Sequence, residues 1–178
     1  MKDAKEKQLP GDLAGESSIL DILHREHTKV DDMFFKFSKS EDNEEKKQIV
    51  EQIALELGLH AKAEEEIVYP AVRDGKEEVE DMMDEADTEH HVVKFLLAEL
   101  RGMEPTDDHY DAKVTVLCEL VKHHVAEEEE DIFEKLKNSK QDLDELGEKF
   151  MQRKMQLAAK PLPEDAFPVK STQHKKTA

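Results

Sequence analysis

Leu59-His60-Ala61-Lys62-Ala63-Glu64-Glu65-Glu66-Ile67-Val68-Tyr69-Pro70 sets a histidine and a glutamate, His60 and Glu64, four residues apart. On a helix, residues four apart lie on one face, one above the other. An imidazole nitrogen and a carboxylate oxygen presented this way can close on a single metal ion. The phrase returns sixty-four residues later as His124-Val125-Ala126-Glu127-Glu128-Glu129-Glu130-Asp131-Ile132-Phe133. Before each copy stands a lone histidine behind a glutamate, Glu26-His27 and Glu89-His90.

Working outward, each of these histidines interrupts an apolar seam with helical spacing. The first helix is expected from about Ile19 to Phe37, with Ser17 or Ser18 as N-cap, Asp21 as a capping-box partner, and a seam of Leu20, Leu23, His27, Val30, Phe34 and Phe37. The second, about Glu44 to Arg73, reads Ile53, Leu57, His60, Glu64, Ile67, Ala71, with a kink or stop at Pro70 and a turn at Asp74-Gly75. Gly58 inside it hints at close packing beside His60. The third, about Glu77 to Arg101, reads Val79, Met83, Ala86, His90, Val93, Leu97, Leu100. The fourth, about Tyr110 to Lys137, reads Val114, Leu117, Val121, His124, Glu128, Ile132, Leu136. A shorter fifth helix, about Leu143 to Ala159, carries Leu146, Phe150 and Leu157 and is placed across the bundle. No strand pattern occurs.

Helices one and two thus look duplicated in helices three and four: His27 to His60 is thirty-three residues and His90 to His124 thirty-four. Two copies with long helices give an all-α fold, an antiparallel four-helix bundle with an internal two-fold repeat, plus a short C-terminal helix. The expected organisation is a flexible N-terminal arm over 1–16, the bundle over 17–138, the C-terminal helix over 139–160 and a disordered tail over 161–178.

Composition agrees. Charged residues make up 39% and aromatics 5%, with no Trp, six Gly and six Pro, a mixture poor in strand and turn formers. A net charge of −18 argues against nucleic acid and against an anionic membrane surface, and favours a soluble protein that attracts cations. Cys118 stands alone, so a reducing compartment is the simplest reading. Met1 to Lys7 is followed by no apolar run, so no signal peptide is expected, and the cytoplasm is the expected location. A closed bundle needs no partner, which favours a monomer.

A seam position faces the bundle interior, where an unpartnered carboxylate is costly and escapes through a raised pKa or a bound cation. His27, His60, Glu64, His90, His124 and Glu128 put six such positions at one level. Imidazole and carboxylate without thiolate point to Fe, Zn, Mn, Ni or Cu and away from Ca and Mg. Six ligands are too many for one tetrahedral zinc and suit two ions bridged by carboxylates, with or without an oxo or hydroxo group. Two histidines and a carboxylate per half favour iron that meets a small oxidant. Among the neighbours, Glu65, Glu66, Glu127, Glu129 and Glu130 read as solvated face. His24, His91 and His123 fall off the seam and read as surface groups or as supports for the ligands. His109 lies in a loop and His174 in the tail. Tyr69 and Phe133 occupy equivalent points of the repeat and read as core. No catalytic residue is identified.

The order His, His-x-x-x-Glu, His, His-x-x-x-Glu, with Arg25-Glu26-His27, Glu64-Glu65-Glu66-Ile67-Val68-Tyr69-Pro70 and Thr88-Glu89-His90, resembles the bacterial hemerythrin-like proteins, or HHE cation-binding domains, over about residues 18 to 137. The resemblance implies a non-haem di-iron centre held by His27, His60, Glu64, His90, His124 and Glu128, with Glu64 and Glu128 as bridges. Invertebrate oxygen carriers have a further histidine four residues from the one on the third helix. Here those positions are Ala86 and Lys94. One iron then lacks a histidine, which opens a coordination position and favours reaction with peroxide, nitric oxide or oxygen over simple oxygen storage. The expected function is therefore binding of, or reaction with, a small oxidant in stress defence or iron homeostasis. The alternatives are catalase-like or peroxidase-like turnover, oxygen or nitric oxide binding and sensing without turnover, and a metal-buffering module for iron or zinc.

Overall fold

A computed structural model of the protein describes residues 18–74 and 77–159, all of whose regular structure is helical. The expected N-terminal arm and C-terminal tail lie outside these residues.

Helix α1 spans Ile19–Lys39, with Ser18 in the N-cap position; no side-chain cap bond forms there, so the expected capping box is not made. Helix α2 (Asn43–Ala63) is capped by Asp42, whose side chain accepts from the Glu45 amide at 2.8 Å. A π-helical turn, Glu64–Val68, joins α2 to α3 (Tyr69–Arg73). A 3-10 turn, Glu77–Val79, leads into α4 (Glu80–Leu100). Helix α5 (Tyr110–Glu127) follows a loop ending at His109, which adopts the left-handed conformation with φ 69°. A second π-helical turn, Glu128–Ile132, joins α5 to α6 (Phe133–Lys137). Helix α7 (Leu143–Ala158) is capped by Asp142, which accepts from the amides of Asp144 and Glu145. In the bundle α1 packs on α2 and α5, and α4 on α2 and α5, while α7 lies against α1, α2 and the first π turn.

The two π turns correct the expected second seam. Each starts on the glutamate of a His-x-x-x-Glu phrase, and in each the ladder widens so that the Tyr69 amide donates to the Glu64 carbonyl and the Phe133 amide to the Glu128 carbonyl. The wider turn delays the buried face by one residue. Val68, Tyr69 and Val72 are therefore buried, whereas Ile67 and Ala71, the expected seam members, are only half-buried. Proline is not the common cause, because the second turn forms with Glu134 in the place of Pro70.

The six polar seam residues divide the core in two. One apolar cluster, including Leu23, Met83, Leu136 and Phe150, fills the end covered by α7. The other, including Phe34, Ile53, Leu97 and Leu117, fills the opposite end. Gly58 is buried within α2.

Candidate metal centre

The helical period alone brings His27, His60, His90 and His124 inward from α1, α2, α4 and α5, and Glu64 and Glu128 inward at the first residue of each π turn. All six are buried, and the two glutamates are 0% and 1% exposed. All six expected residues come together.

Nε2 of His27 faces Nε2 of His60 at 3.2 Å, and Nε2 of His90 faces Nε2 of His124 at 3.1 Å. Glu64 lies between the pairs, with Oε1 2.9 Å from His60 Nε2 and Oε2 3.4 Å from His90 Nε2. Glu128 Oε2 lies 3.3 Å from His27 Nε2 and 3.7 Å from His124 Nε2. His27, His60, Glu64 and Glu128 form one group with ligand atoms within 4.8 Å of one another, and Glu64, His90 and His124 a second.

Three features fit a cation here. Donor atoms around one ion with bonds near 2.1 Å stand about 3.0 to 3.4 Å apart, and the facing donors here stand 2.9 to 3.7 Å apart. The four carboxylate oxygens of Glu64 and Glu128 have no hydrogen-bond partner among the described residues other than the facing ring nitrogens, of which His60 Nε2 is the nearest at 2.9 Å. Buried carboxylates without partners are costly unless a cation compensates them. Finally, Nδ1 of each ring is bonded to a carboxylate, so Nε2 is the nitrogen left to a cation.

The carboxylates on Nδ1 belong to four further residues. Nδ1 of His60 donates to Glu26 at 2.9 Å and Nδ1 of His27 to Glu129 at 2.8 Å. Nδ1 of His124 donates to Glu89 at 2.7 Å and Nδ1 of His90 to Glu65 at 3.2 Å. Carboxylates in this place fix ring orientation and raise the basicity of Nε2. The pattern obeys the repeat: Glu26 and Glu89 precede the lone histidines, and Glu65 and Glu129 follow the buried glutamates. Glu65 and Glu129, expected on the solvated face, are thus corrected to partners of His90 and His27. The common position in the two repeats was the signal that could have found all four.

Two lysines and two further histidines stand behind these carboxylates in turn. Lys154 of α7 donates to Glu26 at 2.7 Å, and Lys94 pairs with Glu65. His24 Nδ1 lies 2.9 Å from Glu129, and His123 Nε2 lies 3.6 Å from Glu89, so both support the ligand set as expected for off-seam histidines. His91 is exposed. Lys94, at the position where a further histidine was sought, reaches the centre only through Glu65.

Without a cation, protons occupy the space between the donors. Burial works against charge on His60, but Glu64 and Glu26 outweigh it and hold the ring up at about 10. His90 is held at about 9, with Glu64 and Glu65 overcoming the same burial. Tyr69, fully buried, stacks on His90 and places its hydroxyl 3.2 Å from His90 Nε2. Burial raises its phenol pKa, and Glu64 and Glu128 add to the rise. Its repeat partner Phe133 stacks on His27 without any such hydroxyl. Beside the imidazoles is a cavity of about 30 Å³ walled by apolar Val30, Leu57, Val93, Val121 and Val125. That is room for about one water-sized or diatomic molecule.

A model of the hemerythrin HHE cation-binding domain matches residues 18–136. The chain belongs to this family. Within it, the six ligand candidates all fall inside the matched span. A crystal structure of an HHE cation-binding domain-containing protein from Mycobacterium kansasii shares the fold, with a TM-score of 0.69 at 23% identity over 80% of this chain and 88% of that one. A Nostoc sp. protein described as a DNA nickase is 30% identical over 124 residues, which is 68% of this chain. The chain spans only 34% of that relative's length. Among the described residues no helix is long and apolar enough to cross a membrane.

Proposed function

We propose that this HHE domain is a non-haem di-iron protein that binds or reacts with a small oxidant, namely oxygen, hydrogen peroxide or nitric oxide. Its setting on this reading is stress defence or iron homeostasis in the cytoplasm, as a monomer. The observation that carries the reading is the pair of buried carboxylates with no partners but the facing ring nitrogens, set between two pairs of facing Nε2 atoms. His27 and His60 would hold one ion and His90 and His124 the other. Glu64, with one oxygen toward each pair, and Glu128 would bridge them. Iron held by these residues would supply redox chemistry toward a small oxidant.

The chain's own residues do the rest. The carboxylates on Nδ1 hold each ring so that Nε2 faces inward. The small cavity beside the imidazoles would give room to a molecule of about two heavy atoms. An imidazole from each of four helices, with no thiolate in the set, would select transition metals over calcium and magnesium. The relative described as a DNA nickase raises nucleic acid as a substrate, but a net charge of −18 repels phosphate backbones.

Metal content and the visible spectrum of protein made in iron-replete cells test the reading, alongside His60→Ala. Two irons per chain with the bands of a bridged ferric pair, both lost in the variant, are expected. Oxygen release from peroxide would then assign turnover, and a reversible band on oxygenation would assign binding. Zinc alone, or no metal in either protein, would overturn the redox reading. More than two irons per chain would favour metal buffering.

A further inference from the structure

The two halves of the bundle match at the six inward-facing residues but not in the grooves outside them. Aligning His27 with His90 and His60 with His124 sets Asp31 of α1 opposite Lys94 of α4, and Lys122 of α5 opposite Gly58 of α2. That exchange changes what fills the space between helices. On the α2–α4 side, Lys94 is 8% exposed and pairs with Glu65 behind His90. On the α1–α5 side, Asp31 and Lys122 pair with each other at 2.9 Å, and both are well exposed. A groove of about 420 Å³ lies open beside them.

The floor of this groove is also a wall of the small cavity beside the imidazoles. His27, Val121 and Val125 line both spaces. His27 and Val121 are buried, whereas Val125 is half-buried and reaches from solvent to the cavity. On the α1–α2 side the same cavity is shut by charge. Its wall there includes Glu26 and Glu56, each tied by a lysine at 2.7 Å, Lys154 for Glu26 and Lys29 for Glu56. Moving either carboxylate breaks an ion pair, and moving Glu26 also releases His60 Nδ1. A valine methyl moves by a change of rotamer, with no polar contact to break.

We propose that the α1–α5 groove is the entrance to the cavity, with Val125 as its door and the Asp31–Lys122 pair on its rim. The molecule it passes is small and uncharged, the class to which oxygen, nitric oxide and hydrogen peroxide belong. Two features set that class. The cavity of about 30 Å³ behind the door has room for about one water-sized or diatomic molecule. An anion would have to shed its water against an apolar valine, beside Asp31 and Glu129 and in a chain of net charge −18. Val125 thus selects by size and polarity before any ligand is reached. The entrance belongs to the metal-free chain; its use in a reaction rests on the reading of the interior as a di-iron centre.

The first test uses the metal-free, full-length chain under dissolved oxygen, whose paramagnetism relaxes nearby methyl protons. Val30 and Val93 line the cavity but not the groove, so relaxation of their methyls reports entry of oxygen. Val125→Trp sets an indole on the groove floor and should lower that relaxation about tenfold. Val125→Ala should raise it about threefold, and decides by itself if the tryptophan variant does not fold. Lys29→Ala, which frees Glu56 on the other side, should leave it unchanged. Equal relaxation in the parent and the Val125 variants, or a rise in Lys29→Ala as large as in Val125→Ala, would overturn the entrance. The second test mixes nitric oxide with reduced, iron-loaded protein in a stopped flow. Binding should slow and quicken in the same two variants by similar factors at unchanged iron content. Rates equal to the parent would overturn the entrance as the route to the centre. Failure of the parent to hold iron would count against the centre, and the first test would still decide the entrance.

Discussion

Replacing Glu26 by glutamine removes a charge from the site without touching any inward-facing donor atom. Glu26 accepts from His60 Nδ1 at 2.9 Å and from Lys154 Nζ at 2.7 Å, with a side chain only 14% exposed. Burial opposes its ionisation, but His60 and Lys154 outweigh it and bring the carboxyl from 4.5 down to about 2. A shift of that size corresponds to at most about 3 kcal/mol in favour of the ionised form. In the metal-free chain this stability is present above pH 4.5 and is lost as pH falls through about 2. Glu26→Gln should therefore unfold about 2 to 3 kcal/mol more easily at pH 7, and the gap should close in acid. On metal loading, loss of the carboxylate behind His60 should weaken one ion about 10- to 100-fold, or about 1.4 to 2.7 kcal/mol. Only the ion beside His27 and His60 should respond. Glu89→Gln, at the same point of the repeat, should weaken the other ion instead. Calorimetric titration with zinc(II) and urea unfolding of the metal-free protein measure both effects. A Glu26→Gln protein that binds both ions as tightly as the parent, or weakens both equally, would refute the reasoning.

Metal loading at pH 7 should release at least about two protons per chain, because His60 and His90 are held charged until a cation displaces the protons, and Glu128 also raises His27 against burial. Calorimetry in buffers of different ionisation enthalpy would detect them. The same raised values stabilise the metal-free fold fully below pH 6.5, and that contribution is lost as pH rises through about 9 and about 10. Metal-free protein should thus lose stability in base while the loaded protein does not, a difference thermal unfolding would show. Tyr69→Phe removes the hydroxyl 3.2 Å from His90 Nε2 and should cost the metal-free chain about 1 kcal/mol in urea unfolding. No loss at all would mean that bond contributes nothing. Val93→Leu adds one methylene to the wall of the small cavity. It should slow reaction with nitric oxide or peroxide by about tenfold, or 1.4 kcal/mol, at unchanged metal content; an unchanged rate would place the approach elsewhere.

The bundle and the six buried polar residues were legible because helical period is local. The third and fourth seams, read from spacing alone, are buried at every position from Val79 to Leu100 and from Val114 to Leu136. The second seam failed at Ile67 and Ala71 because a π turn changes the period where nothing in hydrophobicity marks it. Alignment of the repeats carries a clue, since Ile67 stands opposite exposed Asp131 and Val68 opposite buried Ile132. Glu65 and Glu129 were read as solvated face because they sit in runs of glutamate, where composition hides the individual residue.

Outside the first π turn and the residues just after it, sequence by itself determined most of the side chains that point inward, since each position on a helix follows from its neighbours three and four residues away. Only the tertiary structure decided which outward-leaning residues meet. Glu129 reaches His27 across more than a hundred residues, and Lys154 reaches Glu26 from a helix outside the repeat. The same structure decided that α7 would cover the α1–α2 side of the centre and leave the α1–α5 groove open. Such pairings depend on how helices are rotated and placed against one another, and no local period encodes that.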